Sequence, residues 1–288
     1  MLYKCTVCKT SKWFDNPASN ENAYCDTCQR VRCFLRNTPV ASTTHASARS
    51  NPLTSSVVRP SGNGSNLIRS PSTRIIRPCD YFKLCLEYML SLGFSKRFFN
   101  RQQNRCYCEK CYLTTSKDFF IEGGSKYVIP RGWVRFGLYV DQVQAEVEDI
   151  WNKWVVSYHG TSPEAAKSII EHHQFLLPGD QCISGFVIKI RDGHIPGKFQ
   201  VYTSPSIAYS GHDIYCPSIQ FRSNTGQLYK AKVVLQCRQQ PQTYTIQAET
   251  IDARNKRICP IIPNSELEYF TEVRSSIIPY GLLIHVFQ

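Results

Sequence analysis

Residues 154–170, WVVSYHGTSPEAAKSII, change character halfway along. Trp154 to Tyr158 are aromatic or β-branched with one serine among them, a pattern that predicts a β-strand. Ser162 to Ile170 carry the signals of a helix start. Ser162 or Thr161 can cap, Pro163 suits the first turn, and Glu164 adds the acidic residue of a capping box. His159, Gly160 and Thr161 stand at the junction. A histidine and a glycine where a strand yields to a helix mark a place to look for chemistry.

Around this stretch the chain is mixed. Segments 127–140 (YVIPRGWVRFGLYV), 198–204 (KFQVYTS), 228–238 (LYKAKVVLQCR) and 277–287 (IIPYGLLIHVF) have strand composition, and 141–151 (DQVQAEVEDIW) has helical composition. The order predicts an α+β domain dominated by strands over residues 125–288. No run of about 18 apolar residues occurs, which argues against a membrane-spanning helix. The start, MLYKCTVCKTSKW, lacks the apolar core of a signal peptide, so an intracellular protein is expected.

The chain has 288 residues, 14 cysteines and a net charge of +12. In a reducing compartment the cysteines are better read as metal ligands and buried thiols than as disulfides. Part of the basic excess is confined to residues 37–78, which hold five arginines and no acidic residue. That segment is rich in Ser, Thr, Pro and Asn and is expected to be a disordered linker.

Residues 1–36 form a small cysteine-rich piece. Cys5-x2-Cys8 and Cys25-x2-Cys28 are two knuckles separated by 16 residues, a spacing that can bring four thiolates around Zn²⁺ in a zinc ribbon-like module. Residues 79–124 form a second cysteine-bearing piece, opened by a helical pattern in YFKLCLEYMLSLGF. There Cys106, Cys108 and Cys111 need a fourth ligand. Cys85, on the predicted helix, is preferred over Cys79. With every ligand a protein group, both zinc sites are expected to be structural. Cys182, Cys216, Cys237 and Cys259 are isolated and suit core positions.

Nucleotide motifs of the common kinds are missing: no GxGxxG follows a strand, and GHIPGKF has neither the spacing nor the Ser/Thr of a phosphate loop. Three stretches remain: SYHGT, with His159; FQVYTSPSIAYS, with Tyr202, Ser206 and Tyr209; and NSELEYFTEV, with Glu266 and Glu268.

In this order the three stretches resemble the catalytic domain of poly(ADP-ribose) polymerase-type ADP-ribosyltransferases, which place a histidine on one strand, a tyrosine on a second and a glutamate on a later strand of a split β-sheet. The stretches PRGWVRFGL, YHGT, SPSIAY, IIPYGLLI and NRCYCEKCY are also similar to the C-terminal region of neuralized-like protein 4 and related zinc-bearing proteins. The resemblance covers roughly residues 79–288. It implies that NAD⁺ is the substrate, with His159, Tyr202 and Glu268 as the catalytic trio. It further implies that His159, Gly160 and Thr161 bind the nucleotide, that Tyr202 and Tyr209 stack on nicotinamide, and that Ser206 bonds its carboxamide. Glu266 gives a Glu-x-Glu spacing but is expected to be secondary. No helical regulatory domain fits before residue 125, so mono-ADP-ribosylation is favoured over chain growth. A protein acceptor is expected, with nucleic acid as the other candidate through the basic linker and zinc modules. The competing reading is an inactive transferase-like platform carrying zinc fingers that hold nucleic acid or a protein partner.

Overall fold

The structure, a computed structural model, describes residues 2–5, 11–13, 20–25, 30–36, 79–190, 197–254 and 256–288. The chain divides into two compact units, Met1–Ile75 and Ile76–Gln288. In the first, β1 (Leu2–Cys5), β2 (Ser11–Trp13), β3 (Asn20–Cys25) and β4 (Arg30–Arg36) form an antiparallel sheet in the order β2-β1-β4-β3. Cys5 and Cys25 are the last residues of β1 and β3. Cys8, Cys28, the side chains of Cys5 and Cys25, and the predicted linker 37–78 lie outside the described residues.

The second unit begins with α1 (Asp80–Ser91). It is built on two long strands that the sequence marks clearly. β12 (Leu228–Gln239) carries the aliphatic run Val233–Leu235 and β15 (Ile277–Phe287) the run Leu282–Ile284, and they pair antiparallel from Lys230↔Phe287 to Gln239↔Ile277. A bulge between Gln236 and Cys237 shifts this register, so that Gln236 faces Gly281 while Cys237 faces Pro279. Such an extra residue bends the strand and increases its twist. The sheet runs β11 (Ile219–Arg222), β12, β15, β8 (Val134–Gly137), β5 (Arg105–Cys106). β9 (Val155–Thr161) pairs with the second half of β12, beyond the residues that β11 takes.

A smaller sheet has the order β10 (Val201–Thr203), β14 (Glu268–Thr271), β13 (Thr245–Gln247). Tyr158 of β9 and Ser204 just after β10 join the sheets by two backbone hydrogen bonds of 2.7 and 2.9 Å. A hairpin of β6 (Phe119–Glu122) and β7 (Ser125–Val128) supports this junction. Tyr158 donates its hydroxyl to the Val128 carbonyl, and Val128 N–H donates to Pro205 O. Arg238 ties the hairpin down from β12, pairing with Glu122 and donating to Trp154 O.

The core lies between the large sheet and two helices, α1 and α4 (Pro163–His172). Cys85, Tyr88 and Phe98 share one apolar cluster with Phe136, Leu235, Leu282 and Ile170. Residues 79–124, expected to be a module of their own, therefore belong to the same body as residues 125–288. The physical reason is that α1 has an apolar face requiring burial and β5 adds to the large sheet through β8.

The expected strand 127–140 is interrupted at Pro130–Gly132, where Gly132 has φ +81°. The expected helix 141–151 is two short pieces, α2 (Gln142–Val147) and α3 (Ile150–Lys153), broken at Asp149 with φ +50°. Between β10 and β11 lies a single turn, α5 (Ile207–Ser210). The mixed helix-and-sheet class stands. Among the described residues no helix is long and apolar enough to cross a membrane.

Candidate functional site

The opening stretch folds as its composition dictates. β9 runs through His159 and Gly160 to Thr161; Ser162 then caps α4, accepting a hydrogen bond from Ala165 N–H at 3.2 Å. Because Tyr158 is bridged to Ser204, His159 is set beside Tyr202. The His159 Nδ1 lies 2.8 Å from the Tyr202 carbonyl oxygen, and its ring meets the edge of Phe175 at 4.9 Å. A carbonyl can only accept, so Nδ1 carries the proton. Burial holds the imidazole below its ordinary pKa, against the opposing pull of that carbonyl. The neutral ring therefore keeps Nε2 as an acceptor.

Glu268 opens β14, opposite Gln247 of β13 in the register. Its side chain is 2 % exposed and surrounded by donors. Gln247 Nε2 donates to Oε1 at 2.6 Å, and Tyr209 OH donates to Oε2 at 2.8 Å. Thr250 Oγ1 reaches both oxygens, at 3.3 and 3.1 Å, and Tyr215 OH reaches Oε2 at 3.3 Å. Hydrogen bonds to a buried carboxylate offset the cost of removing its charge from water. Burial raises the pKa of both Tyr209 and Tyr215, so they remain proton donors.

His159, Tyr202 and Glu268 line one cleft of about 760 Å³, together with Gly160, Thr161 and Tyr209. Tyr202 donates its hydroxyl to Gln200 Oε1 at 2.7 Å and pairs across the sheet with Phe270. Burial, followed by the charge of Glu268, raises its pKa. One wall of the cleft is α4, and another is the segment 174–190, where Asp180 pairs with Arg274.

Of the other expected binding residues, Gly160 and Tyr209 line the cleft and Ser206 does not. Ser206, expected to bond a carboxamide, is absent from the cleft wall and 0 % exposed. As the N-cap of α5 it bonds its N–H to Ser204 Oγ, which keeps the residue inside the fold. Gly160, expected to bind the nucleotide, is also needed as a glycine by the fold itself. A Cβ there would overlap Ser210 O and come within 2.9 Å of Tyr215 Cβ. Tyr209 does line the cleft, but its hydroxyl is committed to Glu268 and its ring tilts at 56° to that of Tyr215, 5.1 Å away. Sequence reading missed Gln247, Thr250 and Tyr215, which donate hydrogen bonds to the carboxylate. No motif marks them, and only the β13–β14 register places Gln247 opposite Glu268.

The second cysteine cluster also differs in one ligand. Cys79, Cys106, Cys108 and Cys111 have their sulfurs within 4.8 Å of one another, with Cys79 Sγ at 3.6 Å from Cys106 Sγ and 3.7 Å from Cys108 Sγ. A tetrahedron of sulfurs about 2.3 Å from a central zinc has edges of about 3.8 Å, so the group could hold one metal ion. Cys85 is not among them. It is 0 % exposed on the inner face of α1, with Sγ 3.9 Å from Ile284 O, and burial pushes its thiol up to about 12. Cys79 is the N-cap of α1 and accepts from Phe82 N–H.

No known protein-family model matches the chain.

Proposed function

We propose that residues 76–288 are an NAD⁺-dependent ADP-ribosyltransferase that releases nicotinamide and passes ADP-ribose to an acceptor, a protein being the favoured class. The observation that carries this reading is the convergence of His159, Tyr202 and Glu268, from three separate strands, on one cleft. Its volume lies within the range of about 300–1,000 Å³ common for small-molecule sites. Lys189 and Lys198 line the same cleft and supply positive charge suited to a diphosphate.

Each residue has a role that its geometry supports. His159 accepts a ribose hydroxyl at Nε2 while Nδ1–H stays on Tyr202 O. Tyr202 offers its ring for stacking on nicotinamide. Glu268 accepts a hydroxyl of the nicotinamide-bearing ribose and stabilises positive charge as the glycosidic bond lengthens. That charge resembles the oxocarbenium character of glycoside hydrolysis, where a fixed carboxylate acts most strongly in the transition state. The cysteine group Cys79, Cys106, Cys108 and Cys111 would hold a structural zinc, since four thiolates leave no open coordination position.

The reading is tested by NAD⁺-dependent stabilisation. A ligand at 100 times its dissociation constant adds about 2.7 kcal/mol to folding stability. A zinc-bearing platform without this site shows no such shift.

A further inference from the structure

Three hydroxyls beside Glu268 lie within hydrogen-bonding distance of one another. Tyr209 OH is 2.8 Å from Tyr215 OH and 3.2 Å from Thr250 Oγ1, and Tyr215 OH is 2.9 Å from Thr250 Oγ1. Each has one proton to give. Tyr209 OH already accepts from Thr250 N–H at 3.0 Å, and its own proton points to Oε2 over the shortest hydroxyl contact the carboxylate receives. Gln247 holds the other oxygen at 2.6 Å from a position fixed by strand pairing. Tyr215 differs from both. Its contact with Oε2 is long, at 3.3 Å, while shorter bonds to Tyr209 and Thr250 compete for its proton. It also lines the cleft and is only half-buried.

Building on the transferase reading, we propose that Gln247 and Tyr209 are positioning residues that hold Glu268, and that Tyr215 is its exchangeable donor. A ligand hydroxyl entering the cleft takes the place of Tyr215 on Oε2. Tyr215 then gives its proton to Thr250 or Tyr209, so no buried donor is left unpaired. The carboxylate is thus kept fully bonded in the free protein without having to reorient when a ligand arrives. The exchange has a cost, because the ligand must displace an internal bond.

Steady-state nicotinamide release by the full chain separates these roles. Gln247→Met keeps the length and removes the donor. It is expected to lower kcat about 10²-fold with little change in KM, the pattern of a displaced reacting group. Tyr215→Phe removes the competitor and is expected to lower KM about two- to tenfold, with a far smaller effect on kcat than Gln247→Met. Where Gln247→Met does not fold, the Tyr215→Phe arm decides alone. A raised KM in Tyr215→Phe, or a loss of kcat as large as that expected for Gln247→Met, overturns the assignment. Unchanged kcat in Gln247→Met does the same. If wild type binds NAD⁺ in calorimetry but releases no nicotinamide, tighter binding by Tyr215→Phe supports the exchange and weaker or equal binding overturns it. Wild type that neither binds NAD⁺ nor releases nicotinamide overturns the transferase reading and this assignment with it.

Discussion

Tyr158 and Ser204 exchange two backbone hydrogen bonds, and this bridge brings the large sheet and the small one together at the site. One residue further along β9, His159 is left with Nδ1 on the Tyr202 carbonyl and Nε2 unprotonated. The fold thus selects the tautomer, and burial selects the charge state.

Acidification should therefore cost stability. His159 is held neutral with a pKa below the ordinary value of 6.5, so the unfolded chain binds more protons than the folded one as pH falls through that value. His159's contribution is complete above pH 6.5 and is lost progressively below it. Urea midpoints at pH 7.5 and 5.5 are expected to fall less in His159→Asn than in wild type. An equal fall in both would show that the ring is not held neutral.

Gly160→Ala should destabilise the fold before any ligand is considered. Its methyl would meet the backbone of Ser210 and Tyr215 Cβ, neither of which can rotate away. Overpacking of this kind costs about 1–3 kcal/mol, readable as a lower urea midpoint at unchanged slope. A variant as stable as wild type, with only ligand binding impaired, would show that the missing Cβ of Gly160 serves the ligand rather than the fold.

Cys79→Ser and Cys85→Ser should part company in metal content. Loss of Cys79 breaks the group of four sulfurs, so bound zinc is expected to fall by about one ion per chain. Cys85→Ser should keep its zinc and show only a packing defect, because its sulfur faces the carbonyl of Ile284. Intact-mass measurement under native conditions distinguishes them. The reverse pattern would return Cys85 to the site.

The sequence made the long, strongly patterned elements visible. Strand β15 spans residues 277–287 as its composition predicts, and α4 starts at the expected cap. Short elements were hidden. β13 has only three residues, and nothing in TYTIQAET distinguishes Gln247 from a solvated glutamine. The trio His159, Tyr202 and Glu268 could be proposed because the stretches that carry them, in their order, resemble the transferase family. Their supporting shell could not, because Tyr215 and Thr250 reach Glu268 across 53 and 18 residues of chain and belong to loops. The ligand choice at the cysteine group failed for a similar reason. Helical pattern located Cys85 correctly on α1, but which face of the helix meets β5 is a property of the packed core.

The measurement that bears most directly on the account follows nicotinamide release from labelled NAD⁺ by the zinc-replete protein, with attached ADP-ribose scored in parallel. Wild type should release nicotinamide, and Glu268→Gln should lower the rate about 10²–10³-fold. Glu266→Gln, altered at an exposed position two residues away, should leave the rate close to wild type. Release that is absent in wild type, or equal in wild type and Glu268→Gln, would contradict the assignment of this cleft as a transferase site.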